Sequence, residues 1–429
     1  PENHIPNSKI FELWEEIVRE YMTRLSSVRL SQVIWIAGSW NTMLKEETMN
    51  AWIAMFLASY PKFNEADLSS CLWGFARLGY SLPTDVRRAI EQRVEEILPC
   101  SAGHVGLVTI IFWSAVELNL AFSDSVTALL EAHCHKNHHE YDARYLGLAI
   151  QALLRMNKPI SLQTLGLVEA RLITSLNSGE DMVHVARLLQ IMKASEYSPS
   201  DSVLDLYEHA AKLALTVESN DVANASGYRW GRIDALTNLV NFRCTLEDET
   251  FDAFQNYAAK YMDHLAVSDF CNIIYIISVV GRELPADVYA SWERRFPHIV
   301  RKAPMEFMLR VVRNVANLRL SLSQESFGEW DRIFTQNMNE LDAAEAFHAW
   351  SHSKKLKHKH SLDAFFAWSR TVTPQVLSQV STRIALEVLI DLDAHGFPVG
   401  SFLREMFVRS IWIRQHELPK TLRDFFSNT

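Results

Sequence analysis

The chain is poor in the residues that interrupt regular structure, with only 14 glycines and 13 prolines among 429 residues. Loop-rich and β proteins need many more turn residues, so this scarcity favours helices joined by short turns. No segment alternates cleanly between apolar and polar residues as a half-buried strand does. The β-branched stretch 273–280 falls where a helix of a repeat belongs, and we predict that it is helical.

Cysteine and long apolar runs are also scarce. The cysteines are odd in number, scattered and without a CxxC pair, which argues against a disulfide framework and favours a reducing compartment. No run of 18 uninterrupted apolar residues exists, and the longest candidate, 105–122, contains Glu117, so we predict no membrane span. The five cysteines are Cys71, Cys100, Cys134, Cys244 and Cys271.

Motifs of catalysis are missing as well. The chain has no glycine-rich phosphate loop, no GxSxG elbow and no paired-aspartate motif, so we predict no enzymatic activity, no cofactor and no small-molecule substrate. In the histidine-rich run 131–140, His135 and His139 stand at a spacing that could share a metal on a helix. Lys136 occupies the place where HExxH needs its glutamate, so we interpret the run as a polar loop between repeats and predict no metal.

What the chain does contain is a phrase that recurs. Residues 78–86 and 280–288 share a Gly, a Leu-Pro pair and an Asp-Val pair, and their prolines lie 285 − 83 = 202 residues apart. Looser copies place tryptophans 73 − 35 = 38 and 113 − 73 = 40 residues apart. Such recurrence indicates one supersecondary unit stacked many times. The positions expected to define repeat packing are Trp35, Trp73, Trp113, Leu78, Gly79, Pro83, Gly281 and Pro285.

Each unit of about 38 residues has the pattern of a helical hairpin. The first helix is predicted to end at Gly79, Asn157 or Gly281, residue types that tolerate a left-handed conformation. The second helix begins after Pro, Ser or Asp and is amphipathic. Because one hairpin cannot bury its own apolar face, neighbours must cover it. We therefore predict an all-α fold, a right-handed α-solenoid forming a single domain over 1–429. Its repeats are clearest over 30–327, irregular at 218–232 and degraded at 328–429.

The phrase Ser-x-x-x-Trp-x-x-Ala/Phe-x-Leu-Gly-x-x-x-Pro, best preserved around 75–80, resembles the octotricopeptide and heptatricopeptide repeats of organellar proteins. It is also similar to the helical region of FAST-kinase-like proteins. The resemblance implies a nuclear-encoded mitochondrial or plastid protein that binds organellar RNA in processing, stability, translation or ribosomes. Such chains often end in a RAP domain, a small nuclease-like module, but the stretch 421–426 is too short to be one. Since the sequence starts at Pro1, we expect that a transit peptide has been removed and that the protein resides in the mitochondrial matrix or another organelle.

The charge balance opposes simple RNA binding, because the net charge is −9 and RNA-binding surfaces are normally basic. Two local basic clusters could contact phosphate. Equally, they could be solvated loops or helix ends, and the sequence leaves both interpretations open. The first cluster comprises Arg294, Arg295, Arg301 and Lys302, and the second Lys354, Lys355, Lys357 and Lys359.

The tryptophans divide into two groups. Trp35, Trp73 and Trp113 share one repeat position, where they could stack on bases, although their place within the apolar pattern favours packing between repeats. The others fall outside that register, and we expect some of them to contact a partner. These are Trp230, Trp292, Trp330, Trp350, Trp368 and Trp412.

Two functions from different classes follow. One is an RNA-binding component of an organellar ribonucleoprotein in mitochondrial gene expression, such as a mitochondrial ribosome subunit. The other is a scaffold subunit of a large mitochondrial complex, such as the ATP synthase, with protein as its partner. A basic strip along the first helices of the repeats would favour RNA, whereas exposed aromatic patches without that strip would favour protein.

Overall fold

The computed structural model describes residues 8–101, 103–216, 232–356 and 358–419. Those residues form 22 α-helices and several single 3-10 turns, and they contain no strand. The prediction of an all-α repeat fold is confirmed, as is the helix at 273–280, which lies within Val267–Val280. Of the predicted irregular segment 218–232, all but Arg232 lies outside the described residues, as does the stretch 421–426. No helix in the described part of the chain is long and apolar enough to cross a membrane.

The chain separates into two compact units, 1–210 and 211–429, and the boundary falls within the helix Asp201–Thr216. The predicted single solenoid spans both units and stays a prediction.

Unit 1 is built from two layers of helices. The first helices of the hairpins, called A helices, pack on one another in series, and the second helices, called B helices, do the same beside them. The A helices are α2 (Ser27–Ser39), α4 (Glu65–Leu78), α6 (Val105–Glu117), α8 (Ala143–Arg155) and α10 (Met182–Ala194). The B helices are α1 (Ser8–Tyr21), α3 (Glu46–Ser59), α5 (Thr84–Ile97), α7 (Asp124–Lys136), α9 (Leu162–Ser178) and α11 (Asp201–Thr216).

Unit 2 repeats the two-layer arrangement, with two short helices of 8 and 6 residues before its last two helices. Its A helices are α12 (Arg232–Val240), α14 (Val267–Val280), α16 (Met305–Asn317), α18 (Ala343–Lys354) and α21 (Thr382–Ala394). Its B helices are α13 (Asp248–Tyr261), α15 (Ala286–Val300), α17 (Gln324–Gln336), α19 (Leu362–Ser369) and α22 (Ser401–Ile413), and the short α20 (Pro374–Gln379) packs on α22.

A left-handed residue marks the turn after the A helix in most repeats. Gly79, Asn157 and Gly281 have φ values of 62°, 56° and 70°, so the predicted helix ends are confirmed. Asn41, Asn119, Glu196 and Arg319 adopt the same conformation. The spacings are 79 − 41 = 38, 119 − 79 = 40, 157 − 119 = 38, 196 − 157 = 39 and 319 − 281 = 38 residues. The period predicted from side chains is therefore present in the backbone.

Carboxylates connect successive B helices. A glutamate near the middle of one B helix accepts a hydrogen bond from the backbone N–H of the residue at the start of the next B helix. Glu91 accepts one from Ser123 at 2.7 Å, and Glu293 accepts one from Ser323 at 2.9 Å. Such a contact satisfies a free N–H and places negative charge at a helix N-terminus. Some of the carboxylates that make the net charge negative therefore hold successive B helices together. The other members are Glu131 with Ser161, Glu169 with Ser200, and Asp331 with Ser361.

Tryptophans outside the repeat register form the core of unit 2. Trp292, Trp330, Trp350 and Trp368 are fully buried, so these four do not offer a surface to a partner, and the expected partner contact stays a prediction for Trp230 and Trp412. Their large apolar rings fill the space between the two layers, as Trp292 does by stacking on Phe270 with ring centroids 4.9 Å apart. Trp412, by contrast, is 55% exposed, and Trp230 lies outside the described residues.

Candidate nucleic-acid interface

The three tryptophans that share a register lie on the solvent side of the A layer in unit 1. Trp35 is 47% exposed, and Trp73 and Trp113 are partly buried. The ring centroids of Trp35 and Trp73 are 6.2 Å apart, and the Arg155 guanidinium lies 5.0 Å from the centroid of Trp113. The predicted contacts between repeats are present, but they form at the surface. We call Trp35, Trp73 and Trp113 the tryptophan row.

Two glycines bring the first two rings of this row together. A Cβ atom on Gly38 would lie 2.6 Å from the Gly74 Cα, and one on Gly74 would lie 2.4 Å from the Ile34 carbonyl oxygen. Helices α2 and α4 therefore approach backbone to backbone, where only glycine fits. Trp35 and Trp73, three residues and one residue before these glycines, are held side by side as a result.

The A helices of unit 1 also carry more basic than acidic residues. Arg29, Arg77, Arg144 and Arg155 are exposed, and Glu117 forms an ion pair with Arg155 at 2.7 Å. The full set of charged residues on these five helices is Arg29, Arg77, Arg144, Arg155, Arg187 and Lys193 against Glu65, Asp67 and Glu117, of which Asp67 is buried. Arg77 lies four residues after Trp73, and the Arg155 guanidinium lies over the Trp113 ring, so these cations and rings share one face. Single-stranded nucleic acids require this combination for phosphate contact and base stacking.

The same register in unit 2 carries polar residues. Tyr275 lies 275 − 73 = 202 residues after Trp73, and Thr237 and Arg313 lie 38 residues before and after it. The Tyr275 hydroxyl donates to Asn241 Oδ1 at 2.5 Å. Between α12, α14 and α16 lies a cavity of about 280 Å³ lined by Thr237, Asn241, Cys271, Asn272, Tyr275, Phe307, Arg310, Val311, Arg313 and Asn314.

The electrostatics of this cavity are cationic. Burial raises the pKa of the Tyr275 hydroxyl, and the charges of Arg310 and Arg313 oppose that increase, so both guanidinium groups act at the cavity. None of its ten lining residues is a carboxylate. The charged side chains that line the cavity are thus both arginines.

The predicted basic cluster at 354–359 is divided by the fold. Lys355 is exposed at the end of α18, where its charge and that of Arg313 add to burial in lowering the pKa of His352. Lys359 donates to the His395 carbonyl oxygen at 2.7 Å and lies 5.1 Å from the Phe397 ring centroid, so it connects repeats. Lys357 and the side chain of Lys354 lie outside the described residues.

The predicted cluster at 294–302 lies in the B layer. The Arg295 guanidinium donates to the carbonyl oxygens of Met262 and Leu265, which belong to the end of the preceding B helix and the turn after it. Arg301 pairs with Glu329 at 2.7 Å. Arg294 and Lys302 are exposed. Arg294 also donates to Ser291 Oγ at 3.1 Å, so three of the four side chains are engaged within the protein, and phosphate contact by this cluster stays a prediction.

The interpretation of the histidine-rich run as a loop is wrong for 131–136, which form the end of helix α7, and its histidines make separate contacts. His133 Nδ1 lies 3.0 Å from the Tyr141 hydroxyl oxygen, and His135 Nε2 lies 3.0 Å from Thr164 Oγ1. Within the described ranges, no group of three or more His, Cys, Asp or Glu side chains could hold a metal. Burial raises the pKa of the Cys134 thiol to about 12, so this cysteine stays protonated at neutral pH.

No protein-family model matches the chain, and no curated protein matches its sequence. The resemblance to octotricopeptide repeats therefore rests on the repeat phrase itself. The candidate interface rests on the geometry of the A layer.

Sequence reasoning missed the polar members of the interface. Thr237, Tyr275 and Arg313 belong to no cluster and no motif. Their signal is positional, because counting one period from Trp73 and its equivalents reaches each of them. Residues 38 apart in a repeat protein occupy one face, whereas residues adjacent in a helix point around it.

Proposed function

We propose that the protein is a non-catalytic RNA-binding repeat protein and a component of an organellar ribonucleoprotein in mitochondrial gene expression, such as the mitochondrial ribosome. The observation that carries the proposal is the tryptophan row with exposed arginines on the same A layer. Residence in the mitochondrial matrix or another organelle is proposed from the repeat resemblance.

The physical argument rests on stacking. A base on an aromatic side chain contributes about 1–3 kcal/mol, and successive bases need successive platforms. Trp35 and Trp73 supply two platforms on adjacent helices, and the pairing of Arg155 with Trp113 supplies a third with a cation beside it. Trp35 is 47% exposed and lies beside Trp73 at the same register, and an aromatic surface that water can reach supports a ligand-binding role.

The negative net charge is compatible with this proposal. Carboxylates such as Glu91, Glu131 and Glu169 lie in the B layer, where they accept hydrogen bonds from backbone N–H groups. The A layer of unit 1 carries Arg29, Arg77 and Arg144 on its exposed side. Phosphates approaching the A layer therefore meet local positive charge, which sets affinity at short range because salt screens distant charges.

The test is the binding of single-stranded RNA oligonucleotides, measured by fluorescence anisotropy over a series of salt concentrations. Trp73→Ala should weaken binding roughly 5- to 100-fold, since one stacking platform is lost. Arg77→Gln should weaken it and reduce the slope of log affinity against log salt by about one. Trp412→Ala is the matched control, because this exposed tryptophan lies on the B helix α22. Absence of binding, binding independent of salt, or equal loss in the control would each sink the proposal.

A second candidate is a scaffold subunit of a large mitochondrial complex such as the ATP synthase, with proteins as partners. One observation favours it: helix α1 exposes an apolar stripe at helical spacing, formed by Ile10, Leu13, Ile17 and Tyr21. Exposed stripes of this kind typically mark protein contacts. Purification of the native protein distinguishes the two, since a scaffold co-purifies with protein subunits after nuclease treatment and an RNA-dependent component does not.

A further inference from the structure

The cavity on the A layer of unit 2 has an unusual set of lining residues. Three consecutive A helices, α12, α14 and α16, contribute to it, and it encloses about 280 Å³. Two arginines and three asparagines line it, and no carboxylate does. We propose that this cavity binds a phosphate group, presented either by a nucleic-acid chain or by a free phosphate or mononucleotide. In the first case the inference rests on the proposed function, and in the second it does not.

The first argument is an unpaired donor. Asn314 is 5% exposed, and its Nδ2 finds no hydrogen-bond acceptor in the protein. A buried polar group without a partner destabilises the fold, so each instance needs an explanation. A ligand oxygen in the cavity would accept this hydrogen bond.

The second argument is the pair of arginines. Arg310 and Arg313 are three residues apart on α16 and therefore share its exposed face. Arg310 pairs with Glu306 at 3.4 Å, but both side chains are largely exposed, so that contact is weak and readily exchanged for a ligand. Guanidinium groups match the geometry of phosphate oxygens and bind them through two parallel hydrogen bonds.

The remaining polar groups support an anion rather than a cation. Asn272 Nδ2 donates to Asp234 Oδ1 at 2.7 Å and the Tyr275 hydroxyl donates to Asn241, so these hydrogens are used within the protein. The donors left for a ligand are those of Arg310, Arg313 and Asn314. Three donor side chains lining one cavity, two of them positively charged, are the chemistry that an oxyanion requires.

The volume limits the size of the ligand. Small-molecule sites usually enclose about 300–1,000 Å³, so this cavity lies at the lower end of that range. A phosphate with its attached sugar or a neighbouring base suits such a space better than a large cofactor does. Phe307, with Arg310 over its ring at 4.7 Å, offers an apolar edge for the attached group.

The experiment is a titration with inorganic phosphate, adenosine monophosphate and single-stranded RNA, by calorimetry at constant ionic strength set with chloride. Wild type should show saturable binding of phosphate, and Arg313→Gln should weaken it at least tenfold. Arg370→Gln is the matched control, because this exposed arginine follows the B helix α19 and belongs to neither predicted basic cluster. Asn314→Leu should also weaken phosphate binding, while the melting temperature without ligand stays equal or rises, because the unpaired donor is gone.

The outcomes separate this inference from the proposed function. If phosphate binds and Arg313→Gln removes it while RNA does not bind at all, the phosphate site stands and RNA binding fails. If RNA binds Arg313→Gln as tightly as wild type and phosphate does not bind, the phosphate site is overturned and RNA binding stands. Tighter binding of RNA than of the monophosphate, lost in Arg313→Gln, identifies the nucleic-acid chain as the source. Equal affinities for the monophosphate and inorganic phosphate identify the free anion.

Discussion

Units 1 and 2 use one hairpin to build two different surfaces. The turn is the same in both, since Gly79 and Gly281 share a left-handed conformation 202 residues apart. The A helices differ: Gly38 and Gly74 allow backbone contact in unit 1, whereas buried Val240 and Ile276 occupy the positions 202 residues later. In unit 1 the close approach of the A helices places two tryptophans side by side. In unit 2 the β-branched residues need more room, and a polar cavity lies between the A helices. The left-handed conformation of the turn is thus kept in both units, whereas the residues on the face of the A helices diverge.

The comparison first predicts where tryptophan matters for stability. Trp292 in unit 2 is fully buried and its indole N–H donates to the Phe270 carbonyl oxygen at 3.2 Å, whereas Trp35 in unit 1 is half exposed. Trp292→Ala should lower the free energy of unfolding by about 3–5 kcal/mol, because a large cavity remains and the indole hydrogen bond is lost. Trp35→Ala should lower it by less than about 1 kcal/mol. Urea denaturation checks both, and similar losses would contradict the assignment of surface and core.

The second prediction concerns two aspartates 269 − 67 = 202 residues apart. Asp67 accepts hydrogen bonds from the Asn64 N–H and the Ser31 hydroxyl, each at 3.3 Å. Asp269 is buried, its Oδ1 has no protein donor, and Ala266 stands where a cap could have been. Burial, with the charge of Asp234 adding to it, raises the pKa of Asp269 from 3.8 to about 7.

A raised carboxyl pKa means that the folded protein holds a proton that the unfolded chain has released. Stability from this group is therefore full below about pH 4 and falls as the pH rises through about 7, by at most about 4 kcal/mol. Asp269→Asn should stabilise the protein at pH 8 and change little at pH 4. Asp67→Asn is the control and should destabilise by about 1 kcal/mol at pH 8, because it weakens a helix cap. Thermal melts from pH 4 to 8 measure this, and a pH-independent effect of Asp269→Asn would refute it.

The sequence predicts the fold because turn chemistry is local. Gly79, Asn157 and Gly281 are recognisable at their turns, since their residue types favour the left-handed conformation. Glu196 and Arg319 adopt it too, but their residue types do not favour the left-handed conformation. Only the period, counted from neighbouring repeats, places them at a turn.

The candidate site was harder to predict because sequence adjacency is a poor guide to a shared face. The cluster at 294–302 is basic in sequence, yet Arg295 and Arg301 are engaged by carbonyls and a carboxylate of their own layer. Arg310 and Arg313, in contrast, line a cavity whose other walls come from helices α12 and α14. Periodicity also cannot say whether a recurring tryptophan faces the core or the solvent, because both faces of an A helix recur with the same period.

The third prediction tests the close approach of α2 and α4. Gly74→Ala should destabilise unit 1 by about 1–3 kcal/mol, because the added methyl group would meet the Ile34 carbonyl oxygen. It should also separate Trp35 from Trp73, which near-ultraviolet circular dichroism detects. Ile276→Val at the equivalent position of unit 2 should cost about 1 kcal/mol and leave that spectrum unchanged. A spectrum unchanged by Gly74→Ala would mean that glycine does not set the geometry of the tryptophan row.

The smallest effects are expected at the left-handed turns, where the two units should respond alike. Glu196 in unit 1 and Arg319 in unit 2 have φ values of 55° and 56°, a conformation that strains any residue with a Cβ atom. Glu196→Gly and Arg319→Gly should each stabilise the protein by up to about 1 kcal/mol, the relief of strain exceeding the added entropy of the unfolded chain. Gly281→Ala should destabilise the protein by a similar amount, because a φ of 70° strains a residue with a Cβ atom. No neighbouring atom would clash with the new methyl group. Because the methyl group would meet no other atom, any loss measured by chemical denaturation reports the backbone alone. Stabilisation in one unit without the other would show that the turn, too, has diverged between them.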